Sequence, residues 1–125
     1  MPATILIVED HDAVRMALRN WLEVRFPESD VAEATSGEEA ITKIRHWSPN
    51  VVVLDYKLPG MNGFEATQQI TAILPSAKIV MFSIRDGDAY RASAISAGAF
   101  AYVPKQAYQT ELLPLLTKLL EKVQD

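Results

Sequence analysis

Short apolar runs alternate along the chain with stretches whose apolar residues recur every three or four positions. Ile5–Val8 is a continuous apolar run and reads as a buried strand. Val14, Ala17, Leu18, Trp21, Leu22 and Phe26 follow at helical spacing, and Pro27 stops that helix. Val31–Ala34 reads as a weaker strand. Ser36, with Glu39 three residues on, has capping-box spacing and opens a helix through Ala40, Ile41, Ile44 and Trp47. Val51–Leu54 is the strongest strand signal because it is β-branched almost throughout. A loop over 55–62 contains Pro59 and Gly60, and Gly63 opens a helix whose inner face is Phe64, Thr67, Ile70 and Leu74. Lys78–Ser83 is a fourth strand, a small-residue helix ends at Gly98, and Phe100–Val103 is a fifth strand. Thr110 is placed to cap a last helix carrying Leu112, Leu115, Leu116, Leu119, Leu120 and Val123 on one stripe, with Pro114 near its first turn.

This is a strand–helix unit repeated five times, which predicts an α/β fold: a doubly wound parallel five-stranded sheet with helices on both faces. Its 125 residues make one domain, 1–125. A hydrophobic content of 49% against 22% charged residues supports a packed core. The net charge of -4 argues against nucleic acid or a membrane surface as a ligand of this domain, since both favour a basic face. No cysteine is present, so disulfides and thiolate metal sites are excluded. The N-terminus does not read as a signal peptide, and no apolar run approaches the roughly 20 residues of a membrane span. The expected setting is cytoplasmic.

In such a sheet, ligands bind beyond the carboxyl ends of the strands. Glu9 and Asp10 follow the first strand, Asp55 the third, Ser83 ends the fourth, and Pro104–Lys105 follow the fifth. Singly, each of these is an ordinary solvated strand-end or surface residue. Jointly they put three carboxylates, a hydroxyl and an ammonium at one edge. Carboxylates that close repel one another unless a cation intervenes. Oxygen donors in that number suit a hard cation such as Mg²⁺. Asp55 ends its strand in "DYKLPGMNG", a loop able to offer the ion a main-chain carbonyl, and an aspartate there can act as nucleophile toward phosphorus. Lys105 and Ser83 would then hold phosphoryl oxygens. His11 and Asp12 read as helix-start residues.

The motifs "ILIVEDH", "VVVLDYKLPGMNG", "IVMFS" and "GAFAYVPK", in that order, resemble the receiver domain of two-component response regulators across essentially the whole chain. The resemblance implies the flavodoxin-like strand order 2-1-3-4-5. It implies Asp55 as the phospho-acceptor, and Glu9, Asp10, Asp55 and the main-chain carbonyl of Lys57 as Mg²⁺ ligands. Ser83 matches the switch hydroxyl, Tyr102 the aromatic that follows it, and Lys105 the lysine that contacts the phosphoryl group. The implied phosphodonor is a sensor histidine kinase or phosphotransfer protein. "EDHDAVRMALRNWLE" and "GAFAYVPKQA" look like receivers joined to a LuxR-type helix-turn-helix domain, which points to transcription control. A stand-alone regulator acting through protein contacts is the alternative.

The chain departs from the family pattern in carrying Glu9 where Asp is also common, Ser83 in place of Thr, and Gln106 where many members have proline. None of these removes a functional group, and with Pro104 before the lysine no cis bond is expected at Lys105–Gln106. Lys57 and Arg85, each two residues past a site residue, are placed to shield an acyl phosphate. Leu113 and Tyr90 look surplus to the core and suggest a homodimer or docking face. An enzyme reading is weaker. Aspartate-nucleophile phosphatases usually need a second acid where Lys57 stands, and a flavin binder would not place acids at residues 9–12. A passive metal-binding module is the remaining alternative. The reading is therefore of a phospho-acceptor rather than an enzyme.

Overall fold

A computed structural model of the protein describes residues 2–124. The strands are β1 (Thr4–Val8), β2 (Asp30–Ala34), β3 (Val51–Leu54), β4 (Lys78–Ser83) and β5 (Ala101–Pro104). The helices are α1 (Asp12–Arg25), α2 (Gly37–Ile44), α3 (Gly63–Ile73), α4 (Asp88–Ala97) and α5 (Leu113–Gln124). All strand pairings are parallel and the order is β2-β1-β3-β4-β5, the flavodoxin-like arrangement expected from the motifs.

Successive side chains of a strand point to opposite faces, and the two cores follow that alternation. Leu6, Val8, Val52, Leu54, Ile79 and Met81 pack on Ile41, Ile44, Ala66 and Ile70 of α2 and α3. Ile5, Ile7, Val51, Val53, Val80 and Phe82 pack on Leu22 of α1 and on Leu116, Leu119 and Leu120 of α5. Each fully buried Leu or Ile contributes about 1.5–3 kcal/mol relative to an exposed one. β1 and β3 lie between covered faces, which is why their sequences read as unbroken apolar runs.

Several boundaries differ from the sequence reading. The helix expected to reach Trp47 stops at Ile44. His46 and Trp47 N–H groups both return to the Lys43 carbonyl, because Pro49 forces Ser48 out of helical geometry. The Ser36 cap forms through Glu39 N–H (3.1 Å), but the Glu39 carboxylate bonds Thr35 N–H (2.8 Å) rather than that of Ser36. β5 is shifted one residue, to include Pro104; the missing N–H is tolerated there because β5 is an edge strand. Thr110 does not cap the last helix. Lys105–Ala107 is a 3₁₀ turn, Tyr108–Leu112 is a π turn containing Thr110, and α5 begins at Leu113. The Leu113 N–H reaches back to the Tyr108 carbonyl, while Pro114 has no N–H to continue an α ladder. Tyr90 and Leu113 are both half-buried: Tyr90 packs against the α2–α3 core, whereas Leu113 lies outside both core clusters and borders a groove with Phe26. Among the described residues no peptide bond is cis.

Candidate phospho-acceptor site

Parallel register determines which strand ends meet. Val8 pairs with Leu54, so Glu9 and Asp55 emerge side by side, and the Asp55 N–H bonds the Val8 carbonyl (3.1 Å). Ser83 pairs with Pro104, which sets Lys105 just beyond the same edge. The loop after β3 is drawn tightly against α3. The Gly63 N–H bonds the Tyr56 carbonyl (2.6 Å), and a Cβ at Gly63 would lie 2.5 Å from the Asp55 carbonyl oxygen. Asn62 and Glu65 close a reciprocal capping box that starts α3 at this point.

Glu9 and Asp55 are both buried, at 2% and 7% exposure. Lys105 Nζ lies between them, 2.7 Å from Glu9 Oε1 and 3.3 Å from Asp55 Oδ2. The cation that separates these two acids is thus the chain's own ammonium. Asp55 Oδ1 accepts from the Tyr56 N–H (2.8 Å). Glu9 Oε2 accepts from the His11 N–H (3.1 Å). Burial pushes the Glu9 carboxyl up, but Lys105 and His11 outweigh it and hold the group below its ordinary value. Asp55 goes the other way. Burial raises it, Lys105 opposes this, Glu9 adds to it, and the net is upward. Burial lowers Lys105, but its bonds to Glu9 and the charge of Asp55 leave it raised overall.

Asp10 stands at the rim. Its Oδ1 is buried without a hydrogen-bond partner, with His11 Nδ1 3.4 Å away. One donor atom each from Glu9, Asp10 and His11 lies within 4.8 Å of the others. Asp55 is linked to Glu9 of this cluster through Lys105, which bonds both, and Lys57 is exposed in the β3–α3 loop. An orphaned buried carboxylate oxygen beside further carboxylates fits a hard divalent ion.

Ser83 is buried, and its hydroxyl accepts from the Arg85 N–H (3.3 Å). Tyr102 is 4% exposed, more enclosed than a half-buried sheet tyrosine, and its hydroxyl donates to the Arg85 carbonyl. Burial raises the Tyr102 hydroxyl above its ordinary value. A single residue's backbone therefore joins the two, through its N–H to Ser83 and its carbonyl to Tyr102. Arg91 of α4 closes over Tyr102, with its guanidinium 5.8 Å from the ring and a bond to the Tyr102 carbonyl (3.1 Å).

Two features were not read from the sequence. The His11 ring turns toward the acids instead of capping α1. Arg15 bonds the Glu9 carbonyl (3.0 Å), Glu33 Oε1 (2.9 Å) and Asp12 Oδ1 (2.6 Å), which braces the β1–α1 loop. The Asp12–Arg15 spacing of three was the available signal for the second.

Residues 5–117 match the family model described as the response regulator receiver domain. The response regulator protein VraR of Staphylococcus saprophyticus is 32% identical over 120 residues, 94% of this chain and 56% of that protein. A two-component response regulator of the LuxR family from Aurantimonas sp. SI85-9A1 superposes with a TM-score of 0.89 at 36% identity, covering 98% of this chain and 87% of that one. A DNA-binding response regulator of the LuxR family from Staphylococcus aureus gives 0.84 at 26% identity, covering 94% and 98%. The chain spans about half the length of the curated relatives it matches. Among the described residues, no helix is long and apolar enough to cross a membrane. The chain belongs to the response regulator receiver domain family.

Proposed function

We propose that Asp55 accepts a phosphoryl group from a phosphohistidine of a sensor kinase or phosphotransfer protein, and that the modified domain switches an output surface. The observation that carries this reading is the Lys105 ammonium held between Glu9 and Asp55, groups 96 and 50 positions from it along the chain. The Asp55 carboxylate attacks phosphorus, the P–N bond to the donor imidazole breaks, and the leaving imidazole takes up a proton. Asp55 is left as an acyl phosphate, which water later hydrolyses. Glu9, Asp10, Asp55 and the main-chain carbonyl of Lys57 would hold Mg²⁺, which when bound neutralises charge on the phosphoryl oxygens. Lys105 turns from Asp55 Oδ2 to a phosphoryl oxygen and keeps a charge-assisted bond throughout.

Ser83 supplies a hydroxyl to the same group by giving up its bond to the Arg85 N–H. The β4–α4 loop then shifts, and with it the Arg85 carbonyl that holds the Tyr102 hydroxyl. A local change of charge is in this way converted into a change of packing on the α4–β5–α5 face. The LuxR-family relatives support an output through a DNA-binding domain of a longer cytoplasmic protein; action as a stand-alone or homodimeric regulator is the second reading. Incubation with Mg²⁺ and phosphoramidate tests the proposal. One hydroxylamine-labile phosphoryl group per chain is expected, with none on Asp55→Asn. Multiple turnover of the donor, or equal labelling of the variant, contradicts it.

A further inference from the structure

The Arg85 guanidinium is held by rings rather than by an acid. It lies 5.6 Å from the Tyr56 ring centroid and 5.9 Å from that of Tyr90, and it donates to the Tyr90 hydroxyl (3.3 Å). Among the described residues no carboxylate pairs with it; the neighbouring Asp86 lies with Arg91 instead (3.6 Å). The rings are themselves fixed. Tyr56 and Tyr90 meet edge to face at 5.8 Å, and Phe64 tilts against Tyr56 at 4.7 Å. All three are half-buried against the α2–α3 core. Tyr56 follows the acceptor, and its N–H bonds Asp55 Oδ1 (2.8 Å). Leu54 pairs with Met81, so Tyr56 leaves the sheet level with Ser83, two residues before Arg85. Tyr90 lies in the first turn of α4.

Resting on Asp55 as the phospho-acceptor, we propose that Tyr56 and Tyr90 are positioning residues for Arg85: the ring stack holds the guanidinium at rest, and a phosphoryl group on Asp55 draws it out and releases the first turn of α4. A cation–π contact at an exposed site is weaker than a charge-assisted, bidentate bond to phosphoryl oxygens. The charge added at Asp55 therefore wins the guanidinium from the rings. Until it does, the rings hold back a cation that shields the acyl phosphate, and so they shorten its lifetime. This side-chain path from the acceptor to α4 is separate from the backbone bonds of Arg85 to Ser83 and Tyr102. Loss of a ring and loss of Arg85 thus act on the lifetime with opposite signs.

Dephosphorylation of the whole chain, labelled with phosphoramidate in Mg²⁺, tests this in the parent, Tyr90→Leu, Arg85→Ala and the double variant. Leucine keeps an apolar contact with the core and removes the ring face. Tyr90→Leu is expected to lengthen the phosphoryl lifetime about two- to fivefold, the range set by an exposed cation–π contact. Tyr90→Phe, which keeps the ring, falls closer to the parent than Tyr90→Leu does. In the Arg85→Ala background, Tyr90→Leu changes nothing, because the ring acts only through the guanidinium. A lifetime that Tyr90→Leu leaves unchanged or shortens, or lengthens equally without Arg85, overturns the proposal. In the parent, ring shielding of the Arg85 side-chain protons is expected to be lost on phosphorylation; NMR resonances that stay in place overturn it as well. A parent chain that takes no label removes the phospho-acceptor reading and this one with it, whereas a labelled chain that fails either comparison removes this one alone.

Discussion

Asp55 is costly to the fold as an ion. Burial and the Glu9 charge raise its carboxyl above the ordinary value of 3.8, so in the pH window between that value and the folded one the native state still holds a proton that the unfolded chain has released. Its contribution to stability is therefore present in acid and lost as pH rises through the folded value. Asp55→Asn removes this penalty. In the absence of divalent ions it is expected to stabilise the chain at neutral pH by about 1 kcal/mol, roughly 4 °C in Tm. The gain should shrink to nothing as pH falls below 3.8. Glu9 has the opposite sign. It is held below 4.5, so its contribution is present above that pH and is lost as pH falls through the folded value. Urea unfolding of both proteins across this range checks the signs; a variant no more stable than the parent at pH 7 contradicts the burial argument. At this scale the sequence was legible where a residue's place follows from a strand end, as for Glu9, Asp55 and Lys105. It was not legible for His11 or Arg15, whose roles depend on which way a side chain turns.

The elements bring these residues together through two short connections. In the β3–α3 loop, Gly63 lets the first turn of α3 touch the backbone of Asp55, and an added Cβ would meet fixed backbone at 2.5 Å and 2.6 Å. Gly63→Ala is expected to destabilise the chain by about 1–3 kcal/mol and to slow phosphoryl acceptance by displacing Asp55. An unchanged urea midpoint would show that the loop yields freely. In the β4–α4 loop, the Arg85 guanidinium lies 5.6 Å from the Tyr56 ring and 5.9 Å from that of Tyr90. It also donates to the Tyr90 hydroxyl (3.3 Å). This stack stands beside the acceptor. Arg85→Ala keeps the backbone bonds to Ser83 and Tyr102 but removes the stacked guanidinium, so dephosphorylation should accelerate severalfold, with a smaller effect for Lys57→Ala, since the ring stacking belongs to Arg85. Equal lifetimes in parent and both variants refute a shielding role. Periodicity located the five strands and five helices, because strands covered on both faces and one-sided helices carry strong patterns. It misplaced the start of α5, since Thr110 offers cap chemistry while Pro114 and the docking of Lys105 impose 3₁₀ and π turns. It overran α2, where Trp47 fits the apolar spacing but Pro49 sets the boundary.

At the scale of the molecule, a parallel sheet with two covered faces gathers the ends of β1, β3, β4 and β5 at one edge. Lys105 neutralises part of the acidity collected there, and Arg85 ties the acceptor's neighbour Ser83 to Tyr102 on the far side of β4. The fold and the convergence of the acids with Lys105 could be read from the strand order alone. The pairing of Lys105 with Glu9 and Asp55, and the turn of Asp10 toward His11, needed coordinates, since both a lysine and a divalent ion satisfy the same charge requirement. The central claim is that the modified atom belongs to Asp55. Borohydride cleavage of the phosphorylated chain converts an aspartyl phosphate to homoserine, which peptide mass mapping locates. The account predicts homoserine at position 55 when Mg²⁺ is present and none when it is chelated. Modification at Glu9, Asp10 or His11, or at position 55 regardless of metal, would contradict it.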